Sequence, residues 1–257
     1  MARRPRIDLA GYHHIINRGV NRTDVFNDSG DKEMFLKILC KSLKSHNAIL
    51  HSYCLMDNHY HLLIETNQDN LSILMRSINA NYAIYFNKLN RRTGHLWQGR
   101  FKSRYITNEI YLHELLRHIE YNPLRANIVN SLHEYPFASY RQFVGLQQVI
   151  PCLKNSLIFQ WFETTQEIAE FFDVGEGDDP EQMDKEIQKE NDNINETHIK
   201  TIVEKKPLKE YFDTIRNLGE RNKMIKKAYS EGWSQHKIAK AIKLSQGMVN
   251  RIVNSDR

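Results

Sequence analysis

Two histidines separated by one tyrosine, in Asn58-His59-Tyr60-His61, head an otherwise apolar run that continues Leu62-Leu63-Ile64-Glu65. On a β-strand successive side chains point to opposite faces, so His59 and His61 share one face with Leu63 while Tyr60, Leu62 and Ile64 share the other. Two imidazoles side by side can hold a divalent ion. The plainer reading is a pair of partly buried strand histidines satisfied by backbone or water. Imidazole with oxygen ligands suits Mn²⁺ or Mg²⁺, and the lack of clustered cysteines argues against a closed zinc site. A metal held there could polarise a phosphate and orient it for attack.

The elements that must position this pair are legible from periodicity. "YHHIINR" (12–18) alternates as a first strand, and the segment after "NDSGD" carries Phe35, Ile38, Leu39 and Leu43 as a helical stripe. "AILHSYCLM" (48–56) and "HYHLLIET" (59–66) are two strands joined by a tight Asp57-Asn58 turn. Leu71, Leu74, Met75, Ile78, Tyr82, Tyr85, Phe86 and Leu89 recur at helical spacing. "RFKSRYIT" (100–107) reads as a fourth strand, and 108–123 as a helix capped by Asn108 and limited by Pro123. Strand, helix, strand, strand, helix, strand, helix predicts an α+β, ferredoxin-like domain with helices on a mainly antiparallel sheet.

Charge divides the chain further. Lys and Arg against Asp and Glu give a net +7 over residues 1–150, −9 over 151–200 and +7 over 201–257, so two basic segments flank an acidic one. Basic segments suit a polyanion such as nucleic acid, or are simply solvated surface. The expected domains are 1–148, a catalytic domain; 149–205, an acidic and partly flexible linker; and 206–257, a small all-α module. No apolar run approaches a membrane span, no apolar stretch follows the basic start, and three scattered cysteines argue against a disulfide framework. The expectation is a reducing, cytoplasmic setting with no membrane partner.

In the last segment, Ser234 caps a short helix with Ile238, Ala239 and Ile242 inside, Leu244 fills a turn, and 246–253 form a second helix with Val249, Ile252 and Val253 inside. This predicts a helix-turn-helix. Ser245, Gln246, Asn250 and Arg251 are polar and face outward, where such motifs contact base edges. A three-helix module with no DNA role is the alternative.

Taken together, "GYHHIINRGVNR", "YCLMDNHYHLLIET", "GHLWQGRFKSR" and "LLRHIEYNPLRANIV", in this order between about Gly11 and Gly145, resemble the HUH single-tyrosine transposases. The branch they are most similar to is that of the REP-associated, or IS200-like, tyrosine transposases. Asp57 stands where that family usually has proline. The resemblance implies a metal-dependent strand transferase for single-stranded, hairpin-forming DNA, with an activated hydroxyl that forms a covalent 5′-phosphoenzyme link and frees a 3′-hydroxyl. It implies Mg²⁺ or Mn²⁺ at His59 and His61, and Asn122 completing the active site. A homodimer is among the assemblies open to it.

The family's nucleophilic tyrosine should stand four residues before the Asn-Pro pair, and here that position is His118. Tyr111 and His118 share a helical stripe that Asn122 continues, whereas Tyr121 lies about 60° around the helix from His118. Three routes therefore stay open: attack by Tyr121, attack by a ring nitrogen of His118, or a chain that has lost cleavage and persists as a DNA-binding regulator. An RNA-processing nuclease on the same sheet is a weaker alternative. Single-strand contacts are expected from Arg18, Arg22, Arg91, Arg92, Arg100, Lys102 and Arg104, and duplex contacts from residues 221–253.

Overall fold

A computed structural model describes residues 7–174, 187–194, 208–212, 218–230, 233 and 235–253. Alternation builds four strands, β1 (Gly11–Arg18), β2 (Ala48–Met56), β3 (His59–Thr66) and β4 (Lys102–Ile106). Helical stripes build α1 (Ser29–Ser45), α2 (Leu71–Leu89) and α3 (Glu109–Glu120). The sheet order is β2-β3-β1-β4 with every neighbouring pair antiparallel. With the element order β1-α1-β2-β3-α2-β4-α3, this is the split βαβ plan expected from the sequence.

The two sheet faces differ in what covers them. Ile15, Tyr60, Leu62 and Ile64 are buried on one face, where the Phe35 ring of α1 lies 4.9 Å from that of Tyr60, and the Tyr60 hydroxyl donates to Asn79 Oδ1 of α2 at 2.7 Å. The other face carries His14, His61, Ser52 and Cys54, and α3 packs there. Asn108 caps α3 by accepting the Ile110 N–H at 2.8 Å. At the far end Glu120 is buried, taking a hydrogen bond from Ser52 Oγ at 2.7 Å, one from the Tyr140 N–H at 2.9 Å and one from Ser139 Oγ. Desolvation in this pocket pushes the Glu120 carboxyl up to about 7, against the pull of those donors.

Gly19 follows β1 where the chain turns under the β2-β3 hairpin, its N–H donating to the Asn58 carbonyl at 2.9 Å. A Cβ there would sit 2.1 Å from the Thr23 carbonyl oxygen, so only glycine fits. Asp57, in the hairpin turn, is bound by the Lys32 ammonium of α1 at 2.7 Å, and its carbonyl accepts from Val25 and Phe26. The turn is thus tied down by charge.

Two expectations are corrected. Residues 149–174, read as the opening of an acidic linker, bury Leu153, Leu157, Ile158, Ile168 and Phe172 in the same core as the sheet. Their helix Thr165–Asp173 starts with a capping box between Thr164 and Glu167. The helix over 187–194 also belongs here: the Asn191 amide accepts from the Tyr105 N–H at 2.7 Å and donates to its carbonyl at 2.8 Å, covering β4 at the sheet edge. The expected linker stretches 175–186 and 195–207 lie outside the described residues.

Secondly, Cys40 of α1 and Cys152 form a disulfide, leaving Cys54 as a buried free thiol. An odd cysteine count does not prevent two of the three from pairing, and the reading of a reducing setting loses that premise. Among the described residues no helix is long and apolar enough to cross a membrane.

The fold divides into two compact units, Met1–Asn195 and Glu196–Arg257. In the second unit, helices Leu218–Ser230, Gln235–Ala241 and Gln246–Val253 bury Ile225, Ala228, Ile238, Ala239 and Val249, with Ile242, Leu244, Ile252 and Val253 partly buried around them. The inward residues match those expected. Ser234, expected as a cap, lies outside the described residues.

Candidate active site

The pairing of β1 with β3 and the packing of α3 bring four histidines together. His59 and His61 share a strand face with their rings 5.2 Å apart, and His14 reaches diagonally across from β1 to place its Nε2 at 3.1 Å from His61 Nδ1. From α3, the His118 ring lies 5.9 Å from that of His61 and 6.0 Å from that of His14. His118 therefore meets the strand pair, as its helical stripe implied.

Burial keeps the cluster uncharged. Desolvation lowers His59 to about 4, helped by Arg18, and His118 to about 3, helped by Arg125 and Arg104. His14 and His61 are lowered well below the ordinary imidazole range by burial first, then by their positive and imidazole neighbours. Neutral imidazoles carry the lone pair that a metal or an electrophile requires.

The hydrogen bonds decide which atoms remain to be used. The Nδ1 of His59 lies 2.6 Å from Asn58 Oδ1, an oxygen that can only accept, so His59 carries its proton on Nδ1 and offers Nε2. His61 Nδ1 is engaged with His14 Nε2, and which of the two nitrogens carries the shared proton decides whether His61 Nε2 is open. Among the described residues no group of three or more His, Cys, Asp or Glu side chains is arranged to hold a metal ion. The chemistry that fits is a two-imidazole site completed by oxygen ligands from water or phosphate, and nitrogen donors favour a transition ion over Mg²⁺.

Around the cluster, Arg104 faces His14 in the β1-β4 register, Lys102 faces Ile16, and Arg18 faces His59, so three expected cations share this region of the sheet. Arg125, which the sequence pattern does not single out, donates from Nη2 to the His118 carbonyl at 3.0 Å. Periodicity could not place it, because it lies beyond the end of α3. His14 was also missed: its neighbour His61 is across a strand pair, and only the register reveals that.

Other expected residues lie elsewhere. The Tyr121 hydroxyl donates to the Phe172 carbonyl at 2.8 Å, on the side of α3 that meets the helix Thr165–Asp173. The Asn122 amide folds back to the carbonyls of His118 and Ile119 at 2.8 and 3.2 Å. Arg22 and Arg91 are exposed in turns at positive φ, and the Arg92 guanidinium stacks 5.5 Å from the Phe86 ring. Arg100 lines a separate open groove of about 690 Å³ with Arg76, Asn79, Trp97, Gln98 and Phe101. In the C-terminal unit, Ser245 and Arg251 are exposed, and Ser245 Oγ accepts the Met248 N–H at 3.2 Å. The side chains of Gln246 and Asn250 lie outside the described residues.

Residues 9–122 match the family of IS200-like transposases. The matched region runs from β1 through α3 and contains all four clustered histidines, while Arg125 falls just beyond it. No curated protein matches the chain. Among solved structures, a REP-associated tyrosine transposase bound to a REP hairpin is 18% identical, with a TM-score of 0.47, over 59% of this chain and 88% of its own. A transposase-like protein from Deinococcus radiodurans R1 is also 18% identical, with a TM-score of 0.33, over 42% of this chain and 88% of its own.

Proposed function

We propose that this chain is a divalent-metal-dependent endonuclease and strand transferase of the REP-associated transposase type, acting on single-stranded, hairpin-forming DNA. The observation that carries the reading is the convergence of His118 with the strand pair His59 and His61, with Arg104 and Arg125 close enough to act on it. In this reading His59 and His61 hold Mn²⁺ or Mg²⁺ through Nε2. A bound ion would supply Lewis acidity at a non-bridging phosphate oxygen.

The chain's own residues supply the rest. Arg104 and Arg125 hold the phosphodiester by charge, with Arg18 and Lys102 nearby for the adjoining backbone. His118, neutral at pH 7, attacks phosphorus with a ring nitrogen. An N–P bond forms, the P–O3′ bond breaks, and the imidazole's proton is transferred to the departing 3′-oxygen. The product is a phosphoramidate on the 5′ side and a free 3′-hydroxyl whose return reverses the step. Tyr121 is the poorer candidate, since its hydroxyl is committed to Phe172 and attack tolerates little misplacement.

The C-terminal helices 218–253 are proposed to bind duplex DNA as a helix-turn-helix, with the second of the paired helices, Gln246–Val253, presenting Ser245, Gln246, Asn250 and Arg251.

The test is to incubate the protein with Mn²⁺ and a labelled hairpin carrying a single-stranded flank, then locate any covalent adduct by mass spectrometry. An acid-labile adduct lost in His118→Ala, and in the double variant His59→Ala/His61→Ala, supports the proposal. An adduct lost in Tyr121→Phe alone assigns the tyrosine instead. Cleavage gained only in His118→Tyr shows a chain that has lost its chemistry and acts by binding.

A further inference from the structure

Both strand histidines are engaged through Nδ1. Asn58 accepts the Nδ1–H of His59, which leaves Nε2 bare. His61 has no such amide beside it. Its Nδ1 meets Nε2 of His14, at 3.1 Å, and His14 is 1% exposed on a strand whose register partners at that position are Leu63 and Arg104.

A hydrogen bond between two neutral imidazoles has two forms, and they differ in what they do to His61. If His14 donates, His61 must carry its own proton on Nε2, and that nitrogen is closed to a metal. If His14 accepts, the His61 proton sits on Nδ1 and Nε2 presents a lone pair. In either form the His14 Nδ1 is buried with no hydrogen-bond partner among the described residues, bare in the first and protonated in the second. A buried polar nitrogen left unpaired is unfavourable and asks for a reason.

We infer that His14 is a positioning residue: it accepts the Nδ1–H of His61 through Nε2, fixing the tautomer and the ring angle that turn His61 Nε2 toward a divalent ion. It does for His61 what Asn58 does for His59. The inference rests on the metal reading of that pair. Partners of this kind, which hold a ligating imidazole by its other nitrogen, raise metal affinity by roughly 10- to 100-fold.

The experiment has one arm without metal and one with it. In the full-length, metal-free protein labelled with ¹⁵N-histidine, long-range proton–nitrogen correlations read each tautomer. The expected result is Nδ1–H at both His61 and His14, and a mixture at His61 in His14→Val. Calorimetric titration with Mn²⁺ should show binding about 10- to 100-fold weaker in His14→Val, restored to within a few-fold in His14→Gln, whose side-chain oxygen can accept in the same place.

A His61 that carries its proton on Nε2 in the wild-type protein overturns the inference, as does wild-type Mn²⁺ affinity in folded His14→Val. X-ray absorption showing three imidazoles rather than two around the bound ion also overturns it, by making His14 a ligand. Should Mn²⁺ binding prove indifferent to His59→Ala/His61→Ala, the metal reading fails, while the tautomer measurement still judges His14.

Discussion

At the scale of single residues, the cluster trades solvation for reactivity. Every imidazole in it is held neutral by burial, so the folded state resists protonation more than the unfolded chain does. The sign follows: folded values of about 4 for His59 and about 3 for His118 lie below the ordinary 6.5. Their contribution to stability is complete above pH 6.5 and is lost as the pH falls toward those values. Urea midpoints should therefore drop between pH 6.5 and 5, with a shallower drop in His118→Tyr, whereas Mn²⁺ affinity of the folded protein should hold across that window, because its imidazoles stay neutral there. Equal slopes in the two proteins would count against a buried neutral His118.

Glu120 behaves oppositely. With its carboxyl raised to about 7, its contribution is complete below about 4.5 and declines as the pH rises through 7. Its larger role is to satisfy Ser52, Ser139 and Tyr140. Glu120→Ala strands those donors in the interior and should cost on the order of 3 kcal/mol, read from urea unfolding.

At the scale of elements, the sheet and its three main helices were legible because each is long and strongly periodic. The hairpin turn at Asp57-Asn58, the Asn108 cap and the stripe that aims His118 all follow from spacing within one segment. Asn108→Ala should cost about 1 kcal/mol by thermal or urea unfolding, the usual value of an N-cap. What spacing cannot report is which segments become neighbours. His14 acquires its neighbour His61 from strand register, and the Tyr121 hydroxyl is engaged by a carbonyl at Phe172, far along the chain. The stretch 149–174 escaped for a related reason. Its helices are short, its buried residues are irregularly spaced, and its acidic composition suggested solvated chain although Phe172 and Ile158 are buried.

At the scale of the whole molecule, two compact units with separate cores predict separable DNA binding. Affinity for a hairpin with a single-stranded flank should survive deletion of residues after 200, while affinity for duplex should fall. For every phosphate that the truncated chain no longer neutralises, the salt slope should shrink by about 0.9 log units per tenfold salt on duplex, or about 0.7 on a single strand. Fluorescence anisotropy at several salt concentrations measures both, and an unchanged duplex slope in the truncated chain would remove the C-terminal unit from DNA binding.

The Cys40–Cys152 bond has a topological consequence. It closes the chain into a ring that carries the hairpin with His59 and His61, β4 with Arg104, and α3 with His118. His14 lies on the tail outside it. A protease nick anywhere between 41 and 151 opens the ring without releasing a piece, so the cut protein should run as one band on a denaturing gel until a thiol reductant separates it in two. The same cut before residue 40 should shed a fragment at once, carrying His14 away if it falls after that residue.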